Sequence, residues 1–188
     1  MKFFIPLVIF ILFTSNSFSQ RQIQGYIIKL NGDTIKGTIK RPSAFSNMDT
    51  FIFYDSLGKK EKIKVVDMIG YGGREDSGQA DYTKFKVSSH DLFGGTEYAL
   101  LKNIIRGKIS VFCLNWYEDK TDLYLKTKDE KIYILKYNLV IVGYQKGVLE
   151  KAFADCPLVV EKIKGIVGKK KVLELITEYN NCETATTN

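Results

Sequence analysis

The stretch GYIIKLNGDTIKGTI, residues 25–39, decides how this chain is read. Two β-branched runs flank Asn31 and Gly32, residues that tolerate positive φ, and this pattern predicts a β-hairpin. Working outward, strand-like runs are expected at residues 50–54 and 60–66, joined by the turn at residues 55–58. Others follow at residues 82–87, 98–105, 108–116, 123–127 and 131–137, the last two flanking a second hairpin at Lys128, Asp129 and Glu130. In the last run Ile132 and Ile134 alternate with Tyr133 and Leu135, so both faces are apolar, as in a strand covered on both sides. Residues 70–81 read as a surface loop. Their glycines fit neither a dinucleotide fingerprint nor a P-loop.

From residue 144 the period changes from two to 3.6. Leu149 and Phe153 lie four apart, and Pro157 suits a first helical position, with Cys156 near its cap. Val159, Ile163 and Ile166 continue that helix, which Gly168 should end. Val172, Leu175, Ile176 and Tyr179 form a second stripe. Short strands with polar turns and no βαβ spacing point to an α+β fold. The expected form is an antiparallel β roll or barrel over residues 22–138, then a short C-terminal helical segment over 144–182. The two parts should make one domain, 20–182, with a disordered tail at 183–188.

The amino end predicts an address. Lys2 precedes an apolar run at residues 3–13, broken by Pro6, and Ser17 and Ser19 place small side chains before a cut at Ser19/Gln20. The run is about half the length a membrane-spanning helix needs, so a cleaved signal peptide at 1–19 is expected, with no transmembrane helix in the mature chain. The first cysteine is Cys113, far from the cut, which argues against a lipid anchor. The destination is the periplasm or the extracellular space, with the protein soluble after cleavage. The remaining 169 residues suffice for one domain.

Export makes a disulfide permissible. Cys156 opens one expected helix and Cys182 follows the next, so antiparallel helices would bring the two together. Cys113, in an apolar strand, reads as a buried free thiol. His90 is the sole histidine. Adjacent Ser89, His90 and Asp91 do not face one another as a catalytic triad must, and neither zinc nor calcium spacing is present. Asp119, Asp122, Asp129 and Glu130 fall in turn-like, solvated places. No catalytic, cofactor or metal residue is therefore assigned.

The net charge is +7, from 28 Lys and Arg against 21 Asp and Glu. Lys62 and Lys64, after Lys59 and Lys60, alternate with apolar Ile63 and Val65 and read as the solvent face of a strand, where lysines also deter edge pairing. Lys169, Lys170 and Lys171 sit at a helix start, where cations oppose the dipole, and are a possible binding surface.

Residues 25–39, residues 105–112 (IRGKISVF) and the tail motifs around Asp155–Cys156–Pro157 and Tyr179–Cys182 resemble uncharacterised secreted proteins common in Bacteroidota. The resemblance implies a secreted β-rich domain with a helical, disulfide-linked C-terminal part. It brings no catalytic residue. The leading expectation is an exported, non-catalytic module that binds an envelope protein or polysaccharide, without a cofactor and without specific nucleic-acid binding. A carboxylate-dependent hydrolase acting on envelope polysaccharide or peptide is one alternative. Binding to a polyanion or membrane surface is the other, and it requires the lysines to converge on one face.

Overall fold

The computed structural model describes residues 22–40, 50–75, 78–87, 97–114, 121–138, 143–165 and 168–182. The expected leader and its cut, Ser89, His90, Asp91, Asp119, Ile166 and residues 183–188 lie outside the described residues.

Three hairpins share one loop geometry. Lys29 and Asp33, Asp55 and Lys59, and Thr127 and Lys131 each close a three-residue loop, the first residue's N–H donating to the carbonyl of the last. The third loop residue is left-handed each time: Gly32 at φ +87°, Gly58 at +78° and Glu130 at +65°. This is a type I turn followed by a left-handed residue, a form whose twist suits antiparallel strands. Of the Asn31–Gly32 pair only Gly32 takes positive φ, while Asn31 Oδ1 accepts the Asp33 N–H at 3.1 Å.

The strands are β1 (Gln22–Lys29), β2 (Thr34–Lys40), β3 (Thr50–Asp55), β4 (Lys60–Lys64), β5 (Met68–Glu75), β6 (Gly78–Lys86), β7 (Tyr98–Ile105), β8 (Ile109–Cys113), β9 (Leu123–Thr127) and β10 (Ile132–Leu135). They form one antiparallel sheet in the order β10-β9-β8-β7-β6-β5-β1-β2-β3-β4. Two meanders, β1–β4 and β5–β10, are thus spliced by the β1–β5 pairing. In the expected surface loop at 70–81, residues 70–75 instead belong to β5 and residues 78–81 begin β6. Gly72 there serves close packing: a Cβ on it would lie 2.6 Å from the Tyr26 ring, which rests on the strand at that point.

The first meander is rolled. Phe51 on β3 and Tyr71 on β5 are three strand positions apart, about 14 Å in a flat sheet, yet their ring centroids are 5.5 Å apart. Ile27, Ile39, Phe51, Phe53, Met68 and Tyr71 fill the concave side. Lys84 Nζ, donating to the Val66 carbonyl at 2.9 Å, ties β6 to the 3₁₀ turn after β4. The roll is realised, but the sheet is not closed into a barrel: β4 and β10 remain its two edges.

Helices α1 (Lys146–Ala152), α2 (Pro157–Val160) and α3 (Lys169–Asn180) cover β8–β10. All four residues of the Val172, Leu175, Ile176 and Tyr179 stripe are buried, as are Leu149 and Phe153. The helix from Pro157 is a single turn. Gly168 does not end it but stands at the N-cap of α3. Cys156 and Cys182 form the disulfide, with Cα atoms 6.6 Å apart, so α3's end is bound to α2's start. Asn180 docks the same end on the sheet: its amide accepts the Ile109 N–H at 2.8 Å and donates to the Ile109 carbonyl at 3.0 Å.

Two expectations fail here. Asp122 is half-buried rather than solvated, its carboxylate accepting the Tyr137 N–H at 2.7 Å. In β10 only Tyr133 and Leu135 face the helices; Ile132 and Ile134 stay 48% and 37% exposed. An apolar pattern on both faces here marks a sheet edge with one bare side, not a doubly covered strand.

Candidate functional site: a lysine face and an apolar edge

Register decides which side chains share a face. In antiparallel pairs, directly opposed residues project to the same side, and successive residues alternate. Ile27 pairs with Ile35, Ile39 with Phe53, and Phe51 with Ile63, all toward the core. The intervening residues therefore project outward. On β2 these include Lys36, Thr38 and Lys40; on β3, Ile52 and Tyr54; on β4, Lys60, Lys62 and Lys64. Lys36 lies opposite Tyr26, Lys40 opposite Ile52, and Ile52 in turn opposite Lys62.

Five lysines thus stand on one convex face, interleaved with Tyr26, Tyr54 and Ile52. Along β4 they recur every ~7 Å, and β2 lies ~10 Å away, two strand spacings. Such separations are close to one Debye length, about 8 Å at physiological ionic strength, so the charges reinforce one another's field. Among the described residues, the acids of this meander project elsewhere: Asp55 and Glu61 oppose Gly37 and Phe53 on the inner side, and Asp33 sits in a hairpin loop. Among the described residues none of the five lysines makes an ion pair.

Beyond β1 the same outer face carries Asp81, opposite Gly72 on β5. Its charge is already engaged. Arg106 pairs with it, Tyr26 donates its hydroxyl at 2.8 Å, and Gln79 its amide at 3.2 Å. Burial, then the bond to Asp81, raises the pKa of the Tyr26 hydroxyl. Arg74, exposed and opposite Gln79, adds another cation.

The sequence-assigned Lys169, Lys170 and Lys171 occupy the first turn of α3, in the helical layer packed on β8–β10. Lys169 is half-buried, and Lys171 Nζ lies 3.5 Å from Glu174. The structure does not bring them to the β2–β4 lysines. Lys36 and Lys40 escaped the sequence reading, because joining them to β4 requires the β2–β3 and β3–β4 registers. The alternation in TIKGTIK and KEKIK was the visible part of the signal.

A second feature lies at the opposite sheet edge. A cleft of about 610 Å³ opens beside β10 and α1, within the size range of ligand sites. Ile134, Leu135, Tyr137 and Val148 give it apolar walls; Lys136, Asn138 and Gln145 supply polar atoms. Its described lining carries no carboxylate. Cys113 is a buried thiol outside the disulfide. It lies opposite Lys102, whose Nζ is 2.9 Å from Glu75 Oε2. Glu75 also accepts the Tyr82 hydroxyl at 2.7 Å, a cross-strand network inside the roll.

Among the described residues no group of His, Cys, Asp and Glu is placed to hold a metal, and no helix is long and apolar enough to cross a membrane. Comparison with protein-family models, with characterised proteins and with solved structures finds no match to the chain.

Proposed function

We propose that this protein is an exported, non-catalytic module that holds an anionic envelope component against the lysine face of β2 and β4. The observation that carries the reading is the register that sets Lys36, Lys40, Lys60, Lys62 and Lys64 on one outer face, with no carboxylate of β1–β4 among them. Export rests on the signal-like residues 1–19 and the family resemblance, and the Cys156–Cys182 disulfide is compatible with it. A row of cations every ~7 Å suits a linear polyanion lying along β4, and Tyr54 and Ile52 offer half-buried apolar surface to its backbone. The hydrolase alternative calls for two acids facing each other across a cleft, and no observation favours it.

Heparin is the probe. The protein should be retained at low salt, and its affinity should fall steeply as salt rises, because each neutralised anion releases a counterion. K60Q/K62Q/K64Q should cut affinity at least tenfold and flatten the log–log salt slope by roughly 2. K169Q/K170Q/K171Q should leave both nearly unchanged. Salt-insensitive retention, or a loss confined to the helix triple variant, would overturn the assignment.

A further inference from the structure

The β1–β2 and β3–β4 loops are the first and third turns of one meander, so they lie at the same end of it. Gly37 pairs with Asp55, where the second loop begins, and the first loop closes four residues before Gly37, at Asp33. Two strand spacings across and four rises along would separate the tips by about 16 Å in a flat sheet. Each tip carries a leucine that the core does not use. Leu30 is 59% exposed, and Leu57, at 91%, is the most exposed large apolar side chain among the described residues.

Two observations select the occupant. The first is where the polar groups of the loops go. The N–H groups of Gly32 and Gly58 donate to the Lys29 and Asp55 carbonyls at 2.9 and 3.0 Å. Asn31 Oδ1 accepts the Asp33 N–H at 3.1 Å, and Asp55 Oδ1 accepts those of Leu57 and Lys59, both at 2.9 Å. Backbone satisfied within its own loop loses little on leaving water, which is the condition a lipid environment imposes. The second is charge. Residues 22–40 and 50–64 hold seven lysines against three acids. Of those acids, Asp33 and Asp55 are bonded inside the loops, and Glu61 lies 3.9 Å from Lys59. Lys29, Lys36 and Lys60, all exposed, flank the tips. Apolar tips ringed by cations match a surface that offers anionic headgroups above hydrocarbon. They mismatch a second copy, whose equivalent end carries the same charge.

We propose that the two loop tips dock this protein on an anionic bilayer, Leu30 and Leu57 entering the headgroup layer while Lys29, Lys36 and Lys60 meet lipid phosphates. The inference rests on the lysine face as the anion-binding surface and names lipid as the source of the anion. The test is co-sedimentation with vesicles of phosphatidylcholine alone, or of phosphatidylcholine and phosphatidylglycerol in equal parts. The mixed vesicles should bind at least tenfold more tightly at low salt, and added salt should weaken that binding. L30S/L57S should cut binding to mixed vesicles at least tenfold. Its heparin retention and urea midpoint should stay those of the parent, because both substitutions fall at exposed loop positions. In Leu57→Trp, brominated acyl chains should quench the added indole beyond the background that Trp116 gives in the parent. Vesicle binding indifferent to the two serines, equal binding to both vesicle types, or no added quenching would each overturn the proposal. So would no vesicle binding at all, which would leave a protein as the occupant of the tips. If the parent is still retained on heparin in those cases, the lysine-face reading stands alone; if it is not, both fall. Loss of heparin retention in L30S/L57S would place the leucines in the polyanion site and overturn the proposal as well.

Discussion

Glu130 occupies the position that Gly32 and Gly58 fill in the two sister hairpins. A left-handed conformation costs a non-glycine residue about 1–2 kcal/mol, partly offset in the unfolded chain, where glycine is the more flexible. Glu130 is 76% exposed beside Lys126, so that ion pair contributes little. Glu130→Gly should therefore stabilise the fold by about 0.5–1 kcal/mol, readable as a higher midpoint in urea unfolding. Buried hydroxyls set the alkaline limit. Burial, then nearby Asp122, raises the pKa of Tyr144, whose hydroxyl donates to the Thr121 carbonyl at 2.6 Å. Burial, then the hydrogen bond to Asp155, raises that of Tyr179. The folded state thus keeps protons that the unfolded chain releases near pH 10, so stability is complete below that pH and falls as pH rises through the folded-state values. The thermal midpoint should be flat from pH 7 to 9 and drop above pH 10. In Tyr144→Phe that drop should be shallower, at the expense of about 1 kcal/mol at neutral pH for the lost hydrogen bond.

Among the elements, the helical segment packs on β8–β10 through a shared apolar core, and the disulfide fastens its own two ends together, the start of α2 to the end of α3. Opening a loop that spans a sequence separation of 26 should cost about 3.5 kcal/mol in the chain-entropy account. C156S/C182S should lower the urea midpoint accordingly, while leaving heparin binding intact. The period of several elements was plain in sequence. The α3 stripe of Val172, Leu175, Ile176 and Tyr179 is buried throughout, and residues 98–105 and 123–127 are strands with the expected ends. Local pattern failed where tertiary contact overrides it. The glycines of β5 look like a loop until Tyr26 is known to lie on Gly72, and β10 looks doubly covered until its place at the edge is known.

For the molecule as a whole, an α+β fold with an antiparallel roll was legible because hairpin loops and helical stripes are short-range signals. The β1–β5 splice was not, since no local residue announces that a strand will pair across a long insertion. The lysine face was half legible for the same reason. KEKIK declared its own solvent side, but Lys36 and Lys40 join it only through three-strand register.

That splice governs how the chain can be assembled. β1 lies in the middle of the sheet, yet roughly 40 positions separate its end at Lys29 from the first residue of its second neighbour, Met68. Synthesis runs from the amino end at about 5–20 residues per second, so β1 can acquire β2 at once and must wait about 2–8 seconds for β5. During that interval the nascent β1–β4 meander offers Tyr26 and Ile27 along an open flank, and the molecule is most exposed to wrong pairing before its second half exists.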